Sequence, residues 1–580
     1  MLSYYLLMIK DHIKTKIVGV LKKIKVDFDE KLIDLQPPTL LSFGDYSSSI
    51  ALKLGKILKK NPIKIARKIQ ENIGKDDFIE KIEVINPGFL NFWLSKKYYF
   101  FNLQSIAKSI FSFNNFYFGL NKKILIEYAQ PNTHKLFHIG HLRNITLGEA
   151  LARIFEALGN MVIRTNYQGD IGLHIAKCLW AVKKEQEKNR NVLDNFKTIS
   201  QKIEFIGKMY ALGTKAYETN EKVKKEVIEI NKQIYQKDPK IFDLWQKTRQ
   251  WSLDYFEKIY NRLDTRFDRL FFESEMSEKG REICQKALEK GILEKSQGAL
   301  VFNGKKYGLD TRVFINSLGF PTYEGKELAL AEKEFFEFGE IDKAIHLTTP
   351  EQKSFFKVTF KVEELLNPQK FKNKQQHLPY EWVKLKEGKM SSREGNIIEA
   401  NWLIDKVKNK ILTNFKIDND TAEKISIAAI KYAFLKISPA KPFYFDINES
   451  ISLKGNSGPY LLYTHIRAES ILGKEKKINF DNNIDSLSLL NLKTDELNLL
   501  RFFHLFSENI IKSAFYLSPN FLCQYLYELA QKFNLFYEHY PILKEKDKDL
   551  KKFRLLTTLA TANIIKKGLC LLGVKTVEKM

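Results

Sequence analysis

Ile124-Leu125-Ile126-Glu127-Tyr128, Pro131-Asn132-Thr133-His134-Lys135-Leu136-Phe137-His138-Ile139-Gly140-His141 and Val162-Ile163-Arg164-Thr165 are the stretches on which the fold turns. The first is an apolar run of strand length. After the loop at Pro131, Leu142, Ile145, Ala150, Leu151, Ile154, Phe155 and Leu158 recur at helical spacing until Gly159-Asn160 stops them. Val162 to Thr165 predicts the next strand. Strand, helix and strand in about 40 residues form a βαβ unit, which predicts a parallel sheet with a right-handed crossover and a Rossmann-like domain.

Three regions separate on pattern. Upstream, to about residue 115, Ile50, Ala51, Leu52, Leu54, Ile57 and Leu58 make a helical stripe. Lys81 to Leu94 holds two alternating apolar runs hinged on Asn86-Pro87-Gly88, a strand–turn–strand signal. Asn114 to Asn121 reads as the linker. The α/β region is expected over 120–450, with a charged helical insertion over about 183–269. Strand signals return at Ala299-Leu300-Val301-Phe302 and Lys343-Ala344-Ile345-His346-Leu347, as if the insertion split two halves of one α/β domain. From about 451 to 580 the chain reads as helical, with stripes at Leu522, Leu526, Leu529, Phe533 and Phe536 and at Leu555, Leu559, Ala562 and Leu569. The expected class is therefore α/β multidomain: an N-terminal α+β domain, a Rossmann-like parallel-sheet domain and a C-terminal all-α domain.

The 580 residues carry 94 Lys+Arg against 69 Asp+Glu, a formal charge of +25. That excess favours a polyanionic partner, nucleic acid before membrane. Hydrophobic content of 44% and charged content of 28% are globular and exclude general disorder. The four cysteines, Cys178, Cys284, Cys523 and Cys570, form no CxxC pair, so neither a disulfide framework nor a structural zinc is expected. MLSYYLLMIK lacks the basic region and cleavage site of a secretory signal, and no apolar stretch approaches 18 residues. A cytoplasmic protein without a membrane anchor is expected.

The chemistry concentrates where the first strand ends and the helix begins, the place where parallel α/β sheets bind ligands. A helix N-terminus there offers free N–H groups to an anion. His138 and His141 add donors suited to phosphate oxygens, and Gly140 between them lets a flat ring approach the backbone. With only 10 histidines in the chain, this spacing is informative. His134 and His174 read as ordinary satisfied histidines. Far downstream, Lys389-Met390-Ser391-Ser392 lies between Gly388 and Gly395, as a mobile loop would. Its lysine could neutralise charge developing on a triphosphate.

His138-Ile139-Gly140-His141 resembles the HIGH signature of class I aminoacyl-tRNA synthetases, and Lys389 to Ser392 resembles their second signature. The resemblance narrows to arginyl-tRNA synthetases. It covers Pro131-Asn132 ahead of HIGH, Gly169-Asp170-Ile171-Gly172 after the second strand, Phe43-Gly44-Asp45-Tyr46 and Asn86 to Phe92 in the N-terminal region. It extends to Gly458 to Arg467 and to Leu571-Leu572-Gly573-Val574 at the end. This implies an additional tRNA-binding domain over 1–115 and a helical anticodon-binding domain over 451–580.

By resemblance, ATP would be held by His138, Gly140, His141, Lys389, Met390, Ser391 and Ser392, with His138, His141 and Lys389 catalytic. Arginine would be held by Gln130, Pro131, Asn132, His141, Tyr323, Glu327 and Gln352. Two positions depart from the family: Gln130 replaces a small residue, and Glu327 an aspartate. A glutamate can still pair with a guanidinium, at a changed reach. The implied activity is ATP-dependent ligation of L-arginine to tRNA(Arg) through arginyl-adenylate, with Mg²⁺ accompanying ATP and a monomeric enzyme. Reading a five-donor cation through buried acceptors gives discrimination without an editing site. A cysteine-type synthetase is disfavoured because its zinc-binding cysteines are missing. A catalytically impaired tRNA-binding paralogue is the alternative that Glu327 keeps open. Tyr460, Tyr463, Tyr525 and Phe536 could stack on unpaired bases, although core packing is the commoner role of such residues.

Overall fold

The computed structural model describes residues 9–38, 40–109, 121–386, 398–475 and 490–580. Residues 114–120 of the expected linker, and Lys389, Met390, Ser391 and Ser392, lie outside the described residues. The chain divides into two compact units. One comprises Met1–Leu120, Leu461–Lys512 and Phe521–Gly568; the other comprises Asn121–Tyr460, Ser513–Asn520 and Leu569–Met580.

The larger unit is built on a five-stranded parallel sheet. Its strands are β1 (Lys123–Glu127), β2 (Met161–Gln168), β3 (Arg269–Phe272), β4 (Lys343–Thr348) and β5 (Gln375–Pro379), in the order β5-β4-β1-β2-β3. The chain winds from β1 through β2 to β3 on one side and returns to β4 and β5 on the other. The crevice beyond the carboxyl ends of β1 and β4 is thus the topological switch point. Helix α1 (Ile139–Ala157) is the β1–β2 crossover, buried along most of its length. Arg164 on β2, 1% exposed, ties the sheet to this helix by donating to Glu149 (3.2 Å) and Glu156 (2.6 and 2.9 Å).

Between β2 and β3 stand the helices Leu173–Lys188, Ile199–Thr219, Glu221–Tyr235 and Pro239–Arg262. The charged stretches flagged in the sequence form their outer faces, while Val223, Val227, Ile230 and Ile234 face inward. Ala299–Phe302 is a strand of this unit, as expected, and pairs antiparallel with Glu294–Ser296 and Arg312–Ile315 in a separate three-stranded sheet. The strand that joins the parallel sheet after the helices is β3, only four residues long, with the short apolar run Leu270-Phe271-Phe272. After β3 come α2 (Glu273–Glu289), α3 (Tyr323–Glu337) and α4 (Lys353–Leu366). Lys431 is buried and donates to the carbonyls of Leu263 (2.5 Å) and Gly573 (2.7 Å), which secures the chain's last residues within this unit.

In the smaller unit, Tyr46–Ser48, Ile79–Ile85 and Phe89–Leu94 form an antiparallel sheet in which Phe89–Leu94 is central. Helices Ile50–Leu58 and Pro62–Asn72 accompany it, the second capped by Asn61. The stripe of Asn520–His539 is buried from Leu522 to Phe536. Tyr525 and Phe536 are therefore core residues, and the stacking role considered for them is withdrawn. The four cysteines form no disulfide with one another, and among the described residues no helix is long and apolar enough to cross a membrane.

Candidate active site

His138 is the N-cap of α1, and the cap is made from two imidazoles. The Nδ1 atom of His138 accepts from the backbone N–H of Gly140 (3.1 Å) and of His141 (3.4 Å), while Nδ1 of His141 accepts from the N–H of His138 (3.3 Å). The rings stack with centroids 3.8 Å apart and planes 19° from parallel. A neutral imidazole whose Nδ1 accepts carries its proton on Nε2. Both rings therefore present Nε2–H donors. Burial, with Lys135 nearby, holds His138 down to about 4. Burial, then the His138 and Lys135 charges, hold His141 well below its usual value. Near neutral pH the pair acts as neutral donors.

This corrects the expectation of free backbone N–H groups. Ile139 donates to the Ile398 carbonyl (2.9 Å), and the next two amides are taken by His138. An anion here would meet imidazole donors and the helix dipole instead. Gly140 serves the same arrangement. A Cβ there would lie 2.9 Å from Cε1 of His138, so the flat ring that glycine admits is the capping imidazole itself.

A cavity of about 510 Å³ opens at the switch point. Gln130, Asn132, His138, His141, Tyr323, Glu327 and Gln352 all line it, although they come from the β1–α1 loop, α1, α3 and the turn before α4. Pro131 is buried beside the lining, and Gly140 sits in the first turn of α1. Glu327 is 3% exposed, which excludes a surface-solvating role, and its Oε1 has no hydrogen-bond partner. Burial raises its carboxyl well above the usual range, followed by the charge of Glu127. His134 is as plain as expected: buried, with Nε2 2.8 Å from Thr248 Oγ1 and Nδ1 3.1 Å from Thr133 Oγ1.

Three family models match the chain: tRNA synthetases class I (R), catalytic domain, over residues 109–447; DALR anticodon binding domain over 461–580; and Arginyl tRNA synthetase N terminal domain over 11–94. The chain belongs to the arginyl-tRNA synthetase family. It is 35% identical to the arginine–tRNA ligase of Bdellovibrio bacteriovorus across 79% of this chain and 80% of that one. With that of Borreliella afzelii it shares 33% across 99% of both. The crystal structure of arginyl-tRNA synthetase from Plasmodium falciparum superposes with a TM-score of 0.81 at 23% identity, covering 99% of each chain. The Thermus thermophilus structure gives 0.81 at 22%, covering 99% of this chain and 100% of that one. These two establish the fold.

As a class I synthetase catalytic domain, the larger unit uses ATP. The cavity of this family member has further lining residues that sequence reasoning passed over. Glu127 is one, 2% exposed at the carboxyl end of β1. A charged residue ending a buried parallel strand was the available signal. Asn144, Tyr167, Glu273, Arg312 and Tyr380 also line the cavity. Asn144 Nδ2 donates to the Leu347 carbonyl (2.8 Å) and its Oδ1 accepts from the Ala129 N–H (2.6 Å), locking the β1 loop against β4. Glu273 is held by a buried ion pair to Lys326.

Proposed function

We propose that the chain is an arginine–tRNA ligase: it joins L-arginine to its tRNA at the expense of ATP. The observation that carries this reading is the convergence of Gln130, Asn132, His138, His141, Tyr323, Glu327 and Gln352 on one cavity whose walls combine neutral donors with buried carboxylates. In the first step an arginine carboxylate oxygen bonds to the α-phosphorus of ATP and the bond to pyrophosphate breaks, giving arginyl-adenylate. In the second, the terminal ribose hydroxyl of the tRNA loses its proton and takes the arginyl group, and AMP leaves.

Within this reading, Nε2–H of His138 and of His141 donates to phosphate oxygens as negative charge moves toward pyrophosphate. Asn132 and His141 contact the amino acid's α-amino and carboxylate end, Tyr323, Gln352 and Glu327 its side chain, and Gln130 lines the cavity beside them. Lys389 and the Met390-Ser391-Ser392 that follow are assigned to ATP on the motif alone. The flanking segments support that assignment: Ile139 pairs with Ile398, and Ala400 donates to the Phe137 carbonyl (2.8 Å). ATP brings Mg²⁺ with it, and the +25 charge supplies salt-dependent affinity for the tRNA backbone. The enzyme acts as a cytoplasmic monomer. The impaired paralogue is not favoured, because relatives that cover 99% of the chain bear the ligase name.

ATP–pyrophosphate exchange with each amino acid, with and without tRNA, tests the proposal. Exchange with arginine alone among them is expected. Exchange with a different amino acid, or tRNA binding with neither exchange nor aminoacylation, overturns it.

A further inference from the structure

Behind the cavity lies a buried charge cluster that the reaction itself does not call for. Glu127 on β1 and His346 on β4 are register partners in neighbouring parallel strands. His346 is fully buried; its Nδ1 lies 2.6 Å from Glu127 Oε2 and its Nε2 2.9 Å from Gln375 Oε1. The Gln375 amide is oriented by its own Nε2, which donates to Glu363 Oε2 (2.8 Å). Both ring nitrogens thus face oxygens, and with the charges of Glu127, Glu334 and Glu327 around it the ring is an imidazolium at neutral pH. Glu127 also accepts from the Gln130 amide at Oε1, so both its oxygens face donors.

Three more carboxyl groups surround this pair. Glu327 and Glu334 stand on α3 and Glu363 on α4; they are 3%, 0% and 1% exposed, and each has one oxygen without a partner. Further titratable neighbours are Tyr167 on β2, half-buried with a buried, unpartnered hydroxyl; Glu332 and Glu364, which flank Glu363; and His377 on β5, which burial and the charge of His346 hold down to about 4. One imidazolium cannot balance four buried carboxylates, so the cluster must carry protons.

Building on the arginine–tRNA ligase reading, we propose that His346 is a positioning residue for arginine: it fixes the Glu127 side chain as one wall of the pocket, while the adjacent carboxyl of Glu327 exchanges its proton for the incoming guanidinium. The pocket then keeps near-constant charge whether empty or filled. The titration directions agree. Burial alone would lower His346, but the hydrogen bond and charge of Glu127, with the charges of Glu334 and Glu327, lift it to about 10. Burial raises Glu334 to about 8 and Glu363 to about 7. The proton released on binding goes to solvent.

Calorimetric titration of arginine into the full chain, in two buffers of different ionisation enthalpy, counts the protons released. About one per arginine is expected between pH 6.5 and 7.5, with Kd falling by up to about tenfold per pH unit. Citrulline, which is neutral, should bind with none released. In His346→Gln the charge is gone while a donor for Glu127 remains. Glu327, no longer beside that charge, should hold its proton more tightly, so release of about one per arginine should persist to a higher pH than in the wild type. Arginine binding without proton release, or a wild-type pH dependence of release in His346→Gln, overturns the proposal and leaves the ligase reading standing. A chain that neither binds arginine nor catalyses arginine-dependent exchange overturns the ligase reading itself.

Discussion

The side-chain oxygen of Asn132 occupies the space where a Cβ on Gly169 would stand, and the two residues are tied again by the Thr133 N–H, which donates to the Gly169 carbonyl at 2.9 Å. Gly169 closes the β2 end of the cavity, and Oε1 of Glu273 would lie 3.1 Å from the same Cβ. Gly169→Ala should therefore push Asn132 out of the pocket. Arginine KM is expected to rise by roughly one to two orders of magnitude, the scale of about 1.4–3 kcal/mol of lost orientation. A thermal melt decides whether that loss is local: a Tm shift large enough to unfold the unit would contradict the assignment.

The strands and helices that position Gly169 were legible wherever one residue pattern dominated locally. Ile124 to Glu127 and the stripe from Leu142 to Leu158 needed nothing but spacing. The edge strand β3 was not legible, because Leu270-Phe271-Phe272, set between Arg269 and a helix that begins at Glu273, is too short an apolar run for spacing to tell strand from helix. Much of the site was readable for a different reason: HIGH and the residues around it are contiguous in sequence. Glu127, His346, Glu334 and Glu363 are not. They come from β1, β4, α3 and α4, and each in isolation looks like a charge on a strand or a helix face. Only the sheet register and the packing of α3 and α4 bring them together. The mutual cap of His138 and His141 was hidden too, since spacing alone cannot say that a side chain will consume the amides it was expected to leave free.

That cap separates stability from rate. His138→Ala removes the acceptor for two amides and should cost about 1 kcal/mol of stability. It also removes an Nε2–H donor and should lower kcat for adenylate formation by roughly 10²–10³-fold. His138→Asn can restore the cap but not the reach of Nε2. The expected result is recovered Tm with kcat still low, and tRNA affinity unchanged in both variants. Equal recovery of kcat and Tm would show that His138 acts only as a cap.

Asp45 belongs to the Phe43-Gly44-Asp45-Tyr46 motif, yet its polar atoms are spent within its own unit. Oδ1 accepts from Nε (2.9 Å) and Nη2 (2.7 Å) of Arg501, and Oδ2 accepts from the Leu94 N–H (2.9 Å). Removing one partner of a pair this buried typically costs about 3–5 kcal/mol. Asp45→Asn should shift denaturant unfolding of this unit by that order and leave arginine KM unchanged. An Asp45→Leu/Arg501→Met double variant should be more stable than Asp45→Leu alone, because it leaves no orphaned charge.

The proton-holding cluster makes alkaline stability a sensitive property of the catalytic unit. Glu334 at about 8, Glu363 at about 7 and His346 at about 10 are raised in the folded state. Their stabilisation is complete below the unfolded values and is lost as pH rises through the folded ones. The unit's Tm should therefore fall steadily from pH 6.5 to pH 9. Glu334→Gln keeps an acceptor for Thr165, which donates at 3.1 Å, but has no proton to lose. Its Tm should fall less over the same range, and a curve parallel to wild type would show that Glu334 holds no proton at neutral pH.

Glu327 carries the heaviest test because it is the cavity carboxyl assigned to the guanidinium, at a position where the family resemblance leads one to expect an aspartate. Its Oε1 is buried in the cavity wall without a partner, so a guanidinium there gains a charge-assisted bond that nothing in the empty site supplies. Glu327→Gln preserves size and removes the charge. Breaking a desolvated charge pair costs about 3–5 kcal/mol, which corresponds to a fall in arginine kcat/KM of roughly two to three orders of magnitude. Citrulline, nearly the same shape but neutral, should lose far less, because it has no charge for Glu327 to meet. Glu327→Asp is the discriminating companion. Its carboxylate is one methylene shorter but still charged, so it should keep most of the activity if α3 holds the residue at the family's usual distance. It should fall toward the Gln variant if this pocket was built around the longer side chain. Equal and small changes for arginine and citrulline in Glu327→Gln would remove Glu327 from the guanidinium site and leave its burial to the charge cluster alone.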